Sequence, residues 1–463
     1  MALALEIAKR VRALRYEDLS AEAIYWAKIG ILDTTGVTIK GGLDPATAIV
    51  DKLLSAHAPG SSLLFGLDRR VGALDAARIN GVASHALDFD DCNNTLGGHP
   101  SAPILPGLYA LADEHGVSGR DFMTAYVAGF ETECKISMGV NLYQYLKGWH
   151  PTATIGIFGA AAAAGHMLKM PAEQIAVALS IAASMAAGVK SNLGTMTKPL
   201  HVGQCAHNGV FAALLASEGF TASETAFEGN QGYFDCFNGA GNFDMAKILP
   251  NWANPLDIIK PGVGVKQYPC CASTHPAIDC ILSLVQEHKL KAADVEKIES
   301  YTHTRRLAHT NRPQPKTSLD AKFSVQYAIS RAFVEGKIIA EYFEGDAYTD
   351  PEVQAVMKKV QAAPYTTAQF PAENHFGAEV RVTLTNGKVL VKKVDQPLGR
   401  TSTAPLSVEQ LKAKFDNCIA GIVHDANVAP LYESIREFEK LADVRAVTAL
   451  ISSRPAKCVA AAA

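Results

Sequence analysis

The stretch AEVRVTLTNGKVLVKKV, residues 378–394, decides the fold. Ala378, Val380, Val382 and Leu384 alternate with polar residues, the period of a strand with one buried face. Asn386-Gly387 separates this run from a second alternating one. Asn-Gly is the strongest short hairpin signal, because a type I′ turn needs two residues with positive φ. VEKIESYTH, residues 295–303, alternates in the same way. Residues 318–335 and 350–362 lie between these strands and carry helical spacing. Strands and helices together predict a separate α+β domain.

Outward in both directions the pattern is helical. Residues 20–37, 75–89, 120–140 and 172–189 repeat apolar side chains three and four apart, as in Ile79, Val82, Ala83 and Ala86. Residues 153–187 are dense in Ala, Gly and Ser and have almost no polar face, which places their helices inside a bundle. From Ser407 the spacing is helical again, through residues 435–451 to a small-residue tail. The expected fold is mainly α. A large all-helical domain comes from residues 1–262 and 405–463, with a smaller α+β domain, 263–404, inserted.

The 463 residues are enough for two large domains or about three ordinary ones. Lys plus Arg total 43 and Asp plus Glu 46, a net charge of −3, which argues against nucleic acid or an anionic membrane as partner. A small acidic ligand needs only a local basic pocket. Charged residues make up 19%, below the usual ~25%, so part of the surface is expected to be hidden in an oligomer. No run supplies the ~18 apolar residues of a membrane span. In MALALEIAKRVRAL, Glu6 interrupts the apolar stretch and the basic residues follow it. That order reads as an amphipathic helix of a cytoplasmic protein; a mitochondrial leader is the weaker alternative. Nine cysteines include no CxxC, and adjacent Cys270 and Cys271 suit neither zinc nor an iron–sulfur cluster. Reduced thiols and no metal are expected.

The chemistry gathers at a recurring dipeptide. Seven of the 22 prolines follow a basic residue, at 100, 151, 199, 261, 276, 313 and 455. Four of them precede helical stretches: His99-Pro100, His150-Pro151, Lys198-Pro199 and His275-Pro276. Proline suits the first helical position, and the residue before it is pushed to the cap. A helix N-terminus attracts anions and disfavours a protonated neighbour. Each site taken singly is explained by capping. Four together predict a carboxylate pocket with His and Lys as acid–base groups. Lys198 leads, at the head of an apolar-faced helix ending at Gly219, either as a base or as a clamp on a carboxylate.

In HALDFDDCNNTLGGHPS, residues 85–101, a helix continuing from Asp75 would set His85, Asp88 and Asp91 on one face. Asp88 would then orient His99, or the group would bind a metal; hydrogen bonding is preferred. Tyr145 precedes His150 by five residues and is a second acid–base candidate. VKQYPCCASTHP supplies Lys266, Tyr268, Cys271 and His275, and Arg305, Arg306 and Tyr327 follow; these are expected to close over a substrate at the domain junction.

HALDFDD with HPS, then WHPTATIG, GTMTKPLH, KQYPCCASTHPAID and AKFSVQY, in this order, resemble the MmgE/PrpD family. The resemblance implies a helical large domain, a smaller α+β domain, homodimers, and no required metal or organic cofactor. It places Asp88, His99, His150 and Lys198 on pocket positions of the decarboxylase-like members, and Tyr327 on a tyrosine of those members. Cys92 stands where a Thr is expected, and a histidine of the family falls on Cys271 or His275. The tryptophan-containing form of the DFDD segment typical of the dehydratases is absent.

Forming or quenching a carbanion beside a carboxylate is common to the family's reactions. Epimerisation needs one base and one acid on opposite faces, which Tyr145 and Lys198 would supply while His99 and His150 hold carboxylates. The expected function is epimerisation of an iminodisuccinate-type dicarboxylate. Dehydration of a 2-methylcitrate-type substrate comes second, cis-aconitate-type decarboxylation third, and a non-catalytic dicarboxylate-binding relative is the reading from another class.

Overall fold

A computed structural model describes residues 2–54 and 59–452. The tail and the Arg454-Pro455 pair lie outside them. The chain forms two compact units. One takes the described residues of Met1–Ala86, Asp90–Val265 and Thr401–Ala463; the other takes Leu87–Phe89 and Lys266–Arg400.

The first unit is a helical assembly with one short antiparallel strand pair, Ser62–Leu64 with Arg69–Val71. Helix Gly156–Met167 is buried at every residue except His166, as its small-residue composition requires. Thr197–Ser217 packs against it and against Ala73–Ala86. Two contacts depend on glycine. A Cβ on Gly81 would lie 2.8 Å from Gly203 Cα, and one on Gly209 would lie 2.4 Å from Ala160 Cβ. Glycine normally weakens a helix, but here it lets two backbones meet where a methyl group would collide.

Several helices stop earlier than the periodicity predicts. The helix expected over 75–89 ends at Ala86, and Asp88 adopts a left-handed backbone (φ 53°). His85, Asp88 and Asp91 therefore share no helix face. The 172–189 helix stops at Met185. Of the four basic–proline pairs, only His150 sits at an N-cap. Lys198 is the second residue of its helix, His275 the first, and Pro100 itself caps Ser101–His115. None of the first four helical N–H groups has an intrahelical partner, so proline fits at any of these positions.

The second unit is a four-stranded sheet backed by helices. The strand order is Val360–Pro364, Val295–Thr302, Ala378–Leu384, Val389–Val394; the first pair is parallel and the others antiparallel. Ile298, Val380, Val382 and Leu390 form a core with Ile278, Ile281 and Leu284 of helix His275–His288. The Asn-Gly hairpin is present, with a different turn. Leu384 N–H donates to Lys388 O (2.8 Å) and Gly387 N–H to Leu384 O (2.9 Å). Gly387 has φ 81°, and Asn386 is not left-handed. This is a three-residue loop closed by a glycine bulge, not the two-residue I′ turn.

The helix expected over 318–335 is broken into Ser318–Ala321 and Val325–Glu335, because Ser324 Oγ accepts the Tyr327 N–H and starts a new helix. The helix expected over 350–362 is only Pro351–Met357, followed by strand Val360–Pro364. Lys266 Nζ donates to Asp88 O (2.7 Å) and Lys322 Nζ to Leu87 O (3.0 Å), which ties residues 87–89 into this unit. Among the described residues no helix is long and apolar enough to cross a membrane.

Candidate functional site

In the first unit, helix Ala73–Ala86 ends by delivering His85 to the interior, and the chain returns with Asp90. Both are fully buried, and His85 Nδ1 lies 2.7 Å from Asp90 Oδ2. The same oxygen lies 3.1 Å from Nδ1 of His99. The His99 backbone is held in turn: its N–H donates to Thr152 Oγ1 (3.2 Å) in the helix that His150 caps.

His150 stacks on His85 with ring centroids 5.5 Å apart, and His99 meets His85 edge-on at 4.6 Å. His201 completes the group, its Nδ1 3.3 Å from that of His150. Gly188, at φ 130°, accepts the His150 N–H through its carbonyl, and a Cβ there would press on the His201 ring at 3.3 Å. Lys198 is 4% exposed, and its charge bears on His85, His150 and His201.

Burial pushes His85 down to about 3, with Lys198 and His99 adding to the effect against the pull of Asp90. Burial likewise lowers His150 and His201, again with Lys198 contributing. Burial opposes the charge on Asp90, but His85 and His99 outweigh it and hold the carboxyl well below its usual range. The resting arrangement thus sets the Asp90 carboxylate among imidazoles, of which burial keeps His85, His150 and His201 neutral. His85, Asp90 and His99 also have metal-ligand composition, with ligand atoms within 4.8 Å of one another. The 2.7 Å separation is that of a hydrogen bond, shorter than the ~3.3 Å between ligands of a tetrahedral zinc.

Asp91 turns to a different partner. It accepts from Ser101 Oγ (2.5 Å) and Ser101 N–H (3.2 Å), and Ser101 Oγ lies 2.5 Å from Tyr126 OH. Burial pushes Asp91 up to about 8, so it keeps its proton at neutral pH. Cys92 bridges to Gly264: its N–H donates to the carbonyl at 2.8 Å and its thiol at 3.3 Å. The Cys92 thiol is therefore committed to the backbone. Tyr145 also differs from expectation. Lys190 Nζ sits 3.4 Å from its ring centroid and donates to its carbonyl at 2.8 Å, so the cation on the Tyr145 ring is Lys190.

The second unit holds its own charged cluster. Lys266 Nζ lies 3.0 Å from Asp88 Oδ1, and both residues are 3% exposed. Asp88 therefore belongs with Lys266, and Asp90 takes the orienting place at His99 that the sequence assigned to Asp88. His275 Nε2 is 3.2 Å from Cys270 O, and burial with Lys266 nearby pushes the ring down to about 3. Burial, with Asp88 adding, pushes the Cys271 thiol up, which disfavours a thiolate.

Tyr327 is enclosed in the core; its hydroxyl donates to Tyr342 O and accepts from Arg331 Nε (3.3 Å). A substrate contact there would have to displace both. Arg305 is half-buried on helix Thr304–Thr310, where His303 Nδ1 accepts its N–H (3.1 Å). Arg306 lies with its guanidinium 4.4 Å over Phe376.

Asp90 and His201 were not singled out from the sequence. For His201 a signal existed: it follows Lys198 by three residues, the spacing of helical neighbours. For Asp90 none did, because only the end of the helix at Ala86 separates its role from those of Asp88 and Asp91.

The model of the MmgE/PrpD N-terminal domain matches residues 5–246 and that of the MmgE/PrpD C-terminal domain residues 268–436. The cis-aconitate decarboxylase of Homo sapiens is 30% identical over 459 residues, 96% of this chain and 93% of its own. That of Mus musculus is 29% identical, covering 95% and 91%. The mitochondrial 2-methylcitrate dehydratase of Yarrowia lipolytica is 22% identical, covering 88% and 82%. With both domain models matched in order over most of its length, on a mainly α fold with a smaller α+β unit, the chain belongs to the MmgE/PrpD family.

Proposed function

We propose that the chain is a lyase of small tricarboxylates, a decarboxylase of the cis-aconitate type, working through the histidine–lysine array of the helical unit. The observation that supports this is the array itself: His85, His99, His150 and His201 with Lys198 around the single ionised carboxylate of Asp90. A polyanion entering it exchanges water for fixed N–H groups and a buried ammonium, which favour charge developing on an enolate. The full-length similarity to cis-aconitate decarboxylases supports the choice of reaction.

Lys198 neutralises a substrate carboxylate, and His150 donates to another. The bond to the departing carboxylate breaks and carbon dioxide leaves. Its electron pair passes through the neighbouring double bond to the conjugated carboxylate, and the enolate is then protonated at carbon. His99 is assigned as that acid. Its Nδ1 faces Asp90, which leaves Nε2 to carry the proton and stabilises the imidazolium. Lys266, Cys92 and Tyr327 are not carried into this reading, since their polar atoms are used within the protein.

The epimerase expectation gives way to this lyase reading. The relatives above are named as decarboxylases and a dehydratase, and Tyr145, the proposed second base, packs on Lys190. The homodimer implied by the family and the cytoplasmic location expected from the sequence belong to the same proposal. The test is proton NMR in deuterated water with cis-aconitate, 2-methylcitrate and iminodisuccinate. Release of carbon dioxide with deuterium at the new C–H bond supports the reading. Water loss from 2-methylcitrate with cis-aconitate untouched would move the assignment to a dehydratase.

A further inference from the structure

A basic cavity of about 320 Å³ lies in the helical unit. It is walled by the end of helix Leu3–Ala13, the turn Tyr16–Asp18, the start of Gly119–Val140 and the end of Gly156–Met167. Four cations line it, Arg12, Arg15, Arg120 and Lys169, against two carboxylates, Glu17 and Asp121. Arg15 is engaged by Asp18 (3.0 Å), and Lys169 loosely by Asp121 (3.7 Å). Among the described residues Arg12 and Arg120 have no carboxylate within 4 Å, and the Arg120 guanidinium lies 4.8 Å over the Tyr16 ring. The N-terminus of the 22-residue helix Gly119–Val140, capped by Ser118, adds its partial positive charge.

His166 also lines the cavity. Its Nε2 lies 3.0 Å from Leu14 O and donates to it, while Nδ1 is buried with no hydrogen-bond partner. A buried lone pair of this kind calls for a donor, and none of the described residues supplies one. The charged and polar groups facing the ring are Arg12 and the Leu14 carbonyl from one wall, Asp121 from the second, and Lys169 beyond its own helix.

We propose that this cavity binds a small polyanion carrying phosphoryl or carboxylate groups, held by Arg12 and Arg120, with a proton taken up from solvent at Nδ1 of His166 on binding. Two guanidiniums with no carboxylate partner among the described residues suit the paired oxygens of such groups, and the volume accommodates more than a single ion. The proposal is independent of the decarboxylase reading.

The test is isothermal titration of the full chain at low salt with sodium pyrophosphate and with citrate, in two buffers of different ionisation enthalpy. Wild type, Lys198→Ala, His166→Gln and Arg12→Gln/Arg120→Gln are compared. Beyond any binding by the histidine–lysine array, a saturable site is expected in wild type and kept in Lys198→Ala, weakened about tenfold or more in the double variant. The buffer-dependent heat should vanish in His166→Gln. The stronger of the two ligands identifies the source chemistry. Absence of saturable heat with both ligands overturns the proposal. So does binding lost in Lys198→Ala and kept in the double variant, or binding unchanged in all three. If the double variant melts early, the single substitutions at Arg12 and Arg120 carry the same comparison.

Discussion

Nδ1 of His85 lies 2.7 Å from Asp90 Oδ2, and this contact fixes the tautomer of a fully buried imidazole. The same oxygen faces His99, so one carboxylate orients two rings and balances the positive charge that either acquires. Asp90→Asn keeps the shape and removes the charge. It is expected to lower kcat by about 10²-fold or more with a smaller change in KM, as loss of an orienting carboxylate does. Steady-state kinetics with cis-aconitate check it; an unchanged kcat would remove Asp90 from the machinery.

Lys198 acts on its neighbours as well as on substrate. Its charge contributes to holding His85, His150 and His201 low, so Lys198→Ala should raise the pKa of these rings toward the ordinary histidine value. Turnover should fall by about 10³-fold. Histidine C–H resonances followed through a pH titration read the first effect, and kinetics the second.

Asp91 is a buried acid beside an ionised one. Its folded pKa, about 8, lies above its unfolded value, so between roughly pH 4 and 8 the unfolded chain releases a proton that the native state keeps. Stability is therefore lost as pH rises across that window, by up to about 1.4 kcal/mol per pH unit from this group. Asp91→Asn should flatten that decline, its Tm gaining on wild type from pH 5 to pH 8. Parallel Tm curves would contradict it.

Gly209 should not tolerate a methyl group. Gly209→Ala sets Cβ 2.4 Å from Ala160 Cβ and 2.9 Å from Ala161 N, on backbone that cannot swing aside. A loss of about 1–3 kcal/mol is expected in urea unfolding, despite alanine's better helix propensity.

Much of the fold was legible because each unit carries its own period. The alternation of residues 378–384 falls on a sheet and the 156–167 part of the small-residue run on a buried helix, whereas Ala172–Met185 buries only half its residues. Helix ends were less legible. Periodicity persists past Ala86 although Asp88 is left-handed, and the Ser324 cap interrupts a continuous apolar spacing. The site shared both properties. His99, His150 and Lys198 announced themselves beside proline, while the exchange of roles between Asp88 and Asp90 turned on one backbone angle and a lysine 178 positions away.

The membership of residues 87–89 in the smaller unit has a consequence for inheritance. Lys266 and Lys322 grip the carbonyls of Asp88 and Leu87, so that unit is assembled from two separate stretches of gene. Swapping residues 266–400 between relatives as a cassette would leave behind Asp88, which holds the Lys266 ammonium. Recombination within the family is therefore expected to be viable only when both stretches travel together, and drift at position 88 or 266 to require a matching change in the other.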